Sequence, residues 1–327
     1  MKDWQKLADK YYMNTGVRAP VTLVKGRGAL AWDDKGNEYL DFVCGWAVNN
    51  LGHCPEVVVE AIIFQAEQLI QTSNNFYTIP QVELAQLLIE NSCFDSVFLC
   101  NSGAEANEAA VKLARRYGIL KLNGAYEVIT VSGSFHGRTL SMVSASAQPK
   151  FQKSYVPLYP GYVNVAFNDI KAIEKAVGDN TCAVMLEPIQ GEGGVNVPDE
   201  DYLKKVRQLC DRRGILLILD EIQTGMGRCG SLFAYQQYGI EPDIISLAKG
   251  LGSGLPIGAI MAKKEASVFN PGEHGSTFGG NPVTCAASHA GLKYILEHDV
   301  SAHAAKTGSY FMEKLECLKG KYSIITD

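Results

Sequence analysis

The chain has 327 residues, of which 46% are hydrophobic, and its 30 Lys and Arg against 35 Asp and Glu give a formal net charge of -5. That length and apolar share can bury a large core, and they read as one big domain with an appendage rather than a string of modules. No basic run invites nucleic acid or an anionic membrane surface, and no apolar run approaches the ~20 residues of a spanning helix, so neither nucleic acid nor membrane is expected as a partner.

The opening stretch, MKDWQKLADKYY, is polar and lacks the apolar segment of a signal peptide. Downstream, VTLVKGRGALAWDDKGNEYLDF reads as a small antiparallel meander with a turn at Asp34–Asn37. Its GRGALA, Gly26 to Ala31, loosely imitates a dinucleotide fingerprint but lies inside the meander and opens no helix, so a turn is expected there. Short aliphatic runs then recur as candidate strands: SVFLC (96–100), YEVITV (126–131), CAVMLEPI (182–189), ILLILD (215–220), DIISLA (243–248) and IGAIMA (257–262). Helix-like stretches such as EANEAAVKLARRYGIL and DEDYLKKVRQLCDRR lie between them. This alternation predicts an α/β fold whose mostly parallel sheet is covered on both faces, with ligands at the carboxyl ends of its strands. Nine cysteines, an odd number without a C-x-x-C pair, predict reduced thiols, a cytoplasmic setting and no metal site.

Two stretches raise a question of charge. GILLILDEIQTGMGRCG ends an aliphatic run with Asp220 and Glu221, and a carboxylate at the inner end of a buried strand is costly unless something cationic meets it. DIISLAKGLGSGLPIGA places Lys249 after another apolar run. Four aliphatics followed by Asp-Glu also fit the magnesium-binding strand of nucleotide hydrolases, but the chain contains no G-x-x-x-x-G-K-[ST] segment to cradle the nucleotide. The better partner for Asp220 is the protonated ring nitrogen of pyridoxal phosphate, a cofactor whose chemistry also needs a lysine to form a Schiff base, here Lys249. Alone, the lysine reads as a solvated loop charge and the aspartate as a cap. Their joint position at the ends of successive predicted strands is what points to the cofactor.

The blocks CNSGAEANEAAVKLAR, SFHGRT, EPIQGEGG, LDEIQTGMGR, LAKGLGSGLPIGA and GEHGSTFGGNP, in this order between residues 100 and 282, resemble the class III, fold type I aminotransferases, most closely their acetylornithine branch. The flanks DFVCGWAVNNLGH and TSNNFYT extend the similarity upstream. The resemblance implies a large, mainly parallel-sheet domain over 49–295 and a smaller α+β domain from both chain ends, 1–48 and 296–327. It also implies a homodimer with shared active sites.

By the same resemblance, Ser102, Gly103 and Ala104 hold the cofactor phosphate at a helix start, although an ordinary cap accounts for those residues equally well. Phe135, followed by His136, stacks on the cofactor ring, with core packing as the alternative. Arg138 holds the substrate α-carboxylate through its guanidinium fork, with a surface ion pair as the alternative. Asp220 pairs with the ring nitrogen, Ile222 packs on the ring and Gln223 approaches its phenolic oxygen. Thr277 reaches the neighbouring subunit's phosphate and Ser276 lies near the substrate, where a plain polar turn is the alternative. His53, His274, Glu105 and Glu221 read as structural.

The implied reaction is a ping-pong exchange between an amino donor, N-acetylornithine, and a 2-oxo acid, 2-oxoglutarate, with Lys249 moving the proton. A sister specificity (ornithine, succinylornithine, 4-aminobutyrate or a lysine precursor) would keep every cofactor residue, and a catalytically dead relative would keep only the dimer surface. Two departures accompany the resemblance: Gly16 stands near the place where relatives carry an aromatic, and relatives continue beyond LKGKYSIITD. The second predicts an incomplete small domain, exposed apolar faces on the meander and on the helix around GSYFMEKLECL, and a Glu192 without its partner arginine.

Overall fold

The computed structural model describes residues 2–325. Near the amino end, β1 (Leu23–Arg27), β2 (Leu30–Asp33) and β3 (Glu38–Leu40) form an antiparallel three-stranded sheet, the expected meander. The Asp33 carboxylate organises its second turn by accepting from the backbone N–H of Lys35 (2.9 Å) and Asn37 (2.8 Å). Gly28, at φ +56, makes the first turn, so the GRGALA segment is a hairpin.

The remaining strands are β4 (Ser96–Cys100), β5 (Glu127–Val131), β6 (Tyr162–Val165), β7 (Thr181–Leu186), β8 (Leu216–Asp220), β9 (Ile244–Leu247) and β10 (Gly258–Ala262). They form one sheet in the order β4-β10-β9-β8-β7-β5-β6. Strands β5 to β9 pair in parallel, and β10 is antiparallel to both neighbours. All six strands expected in this sheet are present. β6 was not expected, and the run CAVMLEPI stops being strand at Leu186, because Pro188 cannot donate to a ladder and the chain turns there.

Period-two alternation sorts the strands onto two cores. In β8, Leu217 and Leu219 join one cluster while Leu216 and Ile218 join the other. β10 divides likewise, Ala259 and Met261 against Ile260 and Ala262. The helix Gly103–Lys121 covers the second face with Ala106, Ala109, Ala110, Leu113 and Ala114, a helical spacing of small side chains that lets it lie close to the strands. The helix Tyr202–Arg213 covers the first face with Leu203, Val206, Leu209 and Cys210 and stops at Gly214, φ +67. Both faces being covered, the polar groups at the carboxyl edge are the sheet's outlet to ligands.

The expected exposed apolar faces are present: Leu23 and Val24 on β1, and Tyr310, Phe311 and Met312 on the helix Val300–Lys319, which buries none of its residues. Among the described residues, no helix is long and apolar enough to cross a membrane.

Candidate active site

A cavity of about 510 Å³ opens at the carboxyl edge of the sheet. β8 ends at Asp220 and the adjacent parallel β9 is followed by Lys249, so the two residues paired in the sequence reading face the same space. Ser102, Gly103, Ala104, Phe135, His136, Arg138, Glu192, Ile222 and Gln223 line it as well.

Asp220 is buried, and its carboxylate is held by three neighbours. Oδ2 accepts from Asn107 Nδ2 (2.7 Å) and lies 2.8 Å from His136 Nδ1, while Oδ1 accepts from the Ile222 backbone N–H (3.1 Å). Asn107 is in turn fixed, donating to the His136 carbonyl (2.8 Å) and accepting from Ser246 Oγ (2.6 Å) on β9. A carboxylate oxygen has lone pairs to spare, so Asp220 can still accept from a ring nitrogen in the cavity. The Nε2 of His136 is buried without a partner.

Lys249 is half-buried, sits at φ +42, and forms no hydrogen bond or ion pair among the described residues. Burial pushes its amine below the ordinary lysine value, against the pull of Asp220, Glu187 and Glu192. A lysine with a lowered pKa and no partner is available as a nucleophile and proton carrier.

At the far wall β4 turns through Asn101 into the helix Gly103–Lys121. Ser102 caps that helix by accepting from the Glu105 N–H (3.2 Å), and the Glu105 carboxylate accepts from the Asn101 N–H (2.9 Å). The first N–H groups of a helix have no partner within it, which leaves those of Gly103 and Ala104 facing the cavity. Gly103 lets Ile222 pack close to the turn, since a Cβ there would stand 2.8 Å from Ile222 Cδ1 and push that side chain aside. Gly137, at φ +138, brings the Phe135 loop against Ala104, where a Cβ would stand 2.9 Å from the alanine methyl carbon. The turn and the ring-bearing loop are thus packed to one fixed separation.

Arg138 stacks its guanidinium over Phe151 (4.2 Å) and Phe135 (5.5 Å) and makes no ion pair among the described residues. Its fork is therefore open to an anionic ligand. Glu192 likewise has no ion pair among them. Ser276 and Thr277 do not line the cavity: Ser276 Oγ accepts from Asn101 Nδ2 (3.0 Å) just behind its wall, and Thr277 is exposed on the loop beyond. His53 pairs with Asp41 (2.7 Å), and Glu221 holds the Ala234 and Tyr235 N–H groups (2.6 and 2.7 Å).

Two contributors had no role in the sequence reading. Glu187 lines the cavity, is buried, and accepts from the N–H of Phe135 (2.9 Å) and Gly191 (3.3 Å), joining the loops that carry Phe135 and Glu192. Burial, and then the Asp220 charge, push its carboxyl far above the ordinary glutamate value. Its signal was an acid closing an aliphatic run, the same pattern that singled out Asp220. Asn107, the tether of Asp220, gave no signal beyond being a poor helix former inside a helix.

A lysine and an acid from adjacent parallel strands, a helix amino end and an aromatic ring around one cavity define a pyridoxal-phosphate enzyme of the aminotransferase fold. The family described as Aminotransferase class-III matches residues 11–327, and the chain belongs to that family. It is 52% identical to the acetylornithine aminotransferase of Caldanaerobacter subterraneus subsp. tengcongensis over 97% of this chain and 81% of that protein. It is 50% identical to that of Methanocaldococcus jannaschii over 100% and 82%. Among solved structures, the acetylornithine aminotransferase of Elizabethkingia anophelis superposes with a TM-score of 0.87 at 36% identity, covering 99% of this chain and 80% of that one. The ornithine aminotransferase of Toxoplasma gondii, with partial occupancy of PLP at its active site, gives 0.93 at 37%, covering 98% and 76%. The protein is an aminotransferase, and enzymes of this class depend on pyridoxal phosphate.

Proposed function

We propose that this protein transfers an amino group between N-acetylornithine and 2-oxoglutarate in arginine biosynthesis. The observation that carries the reading is the convergence of Asp220 and Lys249 on a cavity faced by the free amino end of a helix. The substrate assignment is supported by relatives of about half identity that bear that activity in their names.

The residues present fit pyridoxal phosphate. The Gly103 and Ala104 N–H groups suit its phosphate, the Phe135 ring and Ile222 its two faces, Asp220 its ring nitrogen, Gln223 its phenolic oxygen and Lys249 its aldehyde. When bound, the cofactor supplies an aldehyde that captures amines and a ring that draws off the electrons of a deprotonated carbon. Asp220, immobilised by Asn107 and His136, would offer its carboxylate to the ring nitrogen. Lys249, whose half-buried amine lines the cavity, would hold the cofactor aldehyde and carry the proton from the substrate carbon that bears the reacting amine. Arg138 grips the substrate α-carboxylate, Glu192 faces the same end, and the amino and oxo substrates alternate in one site, giving ping-pong kinetics.

The reading includes a cytoplasmic homodimer in which Thr277, exposed outside its own cavity, serves the neighbouring subunit's cofactor phosphate, with Ser276 near the substrate. It also includes a large domain over 49–295 and a small one drawn from 1–48 and 296–327. Reduced cysteines support the setting, since all nine are free. The test is single-turnover kinetics of the cofactor-loaded protein with N-acetylornithine, ornithine, succinylornithine and 4-aminobutyrate. The highest kcat/KM is expected for N-acetylornithine, and a higher value for any other would reassign the substrate.

A further inference from the structure

The segment 270–281, outside the cavity, is held at several places, among them the Thr277 carbonyl, which accepts from Gln71 Nε2 (2.7 Å), and Asn281, which donates to the Ile70 carbonyl (2.7 Å). Within it, Ser276 accepts through Oγ from Asn101 and from the Gly279 N–H (both 3.0 Å), and through its carbonyl from Asn74 Nδ2 (2.8 Å). Nearer its start, Glu273 pairs with Arg116 (2.8 Å) on the helix Gly103–Lys121. The imidazole of His274 lies between the rings of Phe98 on β4 (4.6 Å between centroids) and Phe269 (5.3 Å). Its Nδ1 is 2.9 Å from Lys112 Nζ on the same helix. An ammonium group only donates, so the nitrogen facing it must carry a lone pair, and His274 in this arrangement is neutral.

We propose that His274 is a positioning residue: as a neutral imidazole it pins the 270–281 loop to the helix whose amino end faces the cavity, and its protonation releases the loop. A proton on Nδ1 would set a donor against a donor and a cation against the Lys112 ammonium. The charged groups around the ring do not compensate. Arg116 adds a second cation, Glu273 is taken by Arg116, and the Glu105 carboxylate is taken by Asn101 and Ser102. Phe98 and Phe269 bring no charge. Burial first, and then Lys112, push the His274 pKa below its ordinary value, with Glu105 opposing. A histidine depressed in the folded state contributes stability that is complete above the unfolded value of about 6.5 and lost as pH falls through the folded one.

The pin reaches the cavity through Asn101, which lines it and donates to Ser276. Loop release therefore loosens the turn before Gly103 and Ala104; this step rests on the reading of that turn as the phosphate cradle. The test measures hydrogen exchange of the 270–281 segment without cofactor, and the Kd for pyridoxal phosphate, at about pH 7.5 and about pH 5.5, a window that brackets histidine titration. In the unaltered protein the protection factor of the segment, its exchange rate taken relative to the intrinsic amide rate at each pH, should fall about threefold or more at the lower pH, and the Kd should rise by a similar factor. His274→Phe, which offers an aromatic ring to the same space with no titrating nitrogen, should flatten the exchange response. Lys112→Met, at an exposed site where folding is safe, should shrink it and carries the test if His274→Phe does not fold. An identical acid response in all three proteins, or none in the unaltered one, would overturn the pin. Loop release with no change in Kd beyond that of the variants would overturn the link to the phosphate cradle and leave the pin standing.

Discussion

The carboxyl edge of the large sheet and the periphery formed by β1 and the helix Val300–Lys319 depart from the usual sorting of side chains in opposite directions. At the edge, His136, Glu187, Asp220 and Glu221 are 1% to 6% exposed, although each can carry charge; at the periphery, Leu23, Val24, Tyr310, Phe311 and Met312 are 52% to 63% exposed, although none does. The edge tolerates its buried acids because each has donors: Asn107 and His136 for Asp220, two backbone N–H groups for Glu187 and two for Glu221. The periphery has no such local remedy, since water cannot satisfy an apolar face and only a covering surface can. Buried polarity thus marks where chemistry is organised, and exposed apolarity marks where association lowers the free energy.

Perturbing the edge should give the larger effects. Asp220→Asn keeps the size of the side chain and removes its charge, so turnover is expected to fall by about 10²–10³-fold, the scale of losing one preorganised electrostatic partner, with a small change in melting temperature. Stopped-flow half-reactions with glutamate check it, and near-normal turnover would remove Asp220 from the ring-nitrogen role.

Glu221 should show the energetic side of the same region. Burial raises its carboxyl to about 7, above an ordinary value of 4.5. A carboxyl raised in the folded state contributes stability that is complete below the unfolded value and lost as pH rises through the folded one, here between 4.5 and about 7. Glu221→Gln should flatten that part of the stability profile and cost about 1–3 kcal/mol, because the amide sets a donor against one of two buried N–H groups. Urea unfolding across that pH range reads both.

Arg138 stands between the two regimes, its ring stacking intact and its fork free. Arg138→Ala should lower kcat/KM about tenfold or more for every α-carboxylate substrate, as expected for one partly exposed charge-assisted pair. Unchanged kinetics would confine Arg138 to packing on Phe151. The smallest effect belongs to the periphery: Phe311→Ser should weaken self-association a few-fold by removing buried apolar area, and leave the cofactor spectrum as it was. Sedimentation against concentration measures it.

Six strands of the large sheet were legible because continuous aliphatic runs have few other places to go. β6 was not, because it is an edge strand, where Asn164 interrupts the run and bonds back to Thr130 Oγ1 (2.6 Å). Asp220 and Lys249 were legible because each breaks an apolar run at the end where parallel sheets bind ligands. Glu187 obeyed the same rule, but Pro188 and Ile189 made the strand look longer than it is and hid the turn that aims the carboxyl at the cavity. Asn107 could not be read at all: its meaning depends on the helix lying over β8 and β9, a relation between distant segments. The loop 270–281 showed its Ser and Thr, whereas the ring contacts of His274 join residues 98, 269 and 274 and exist only after folding.

Lys249 and Asp220 are proposed as the two poles of one pyridoxal-phosphate site. Borohydride reduction of the cofactor-loaded protein, followed by peptide mass mapping, tests that assignment most directly. A single reduced pyridoxyl adduct is expected on the peptide containing Lys249, and none in Lys249→Ala under the same conditions. An adduct on another lysine, or one that persists in Lys249→Ala, would contradict it.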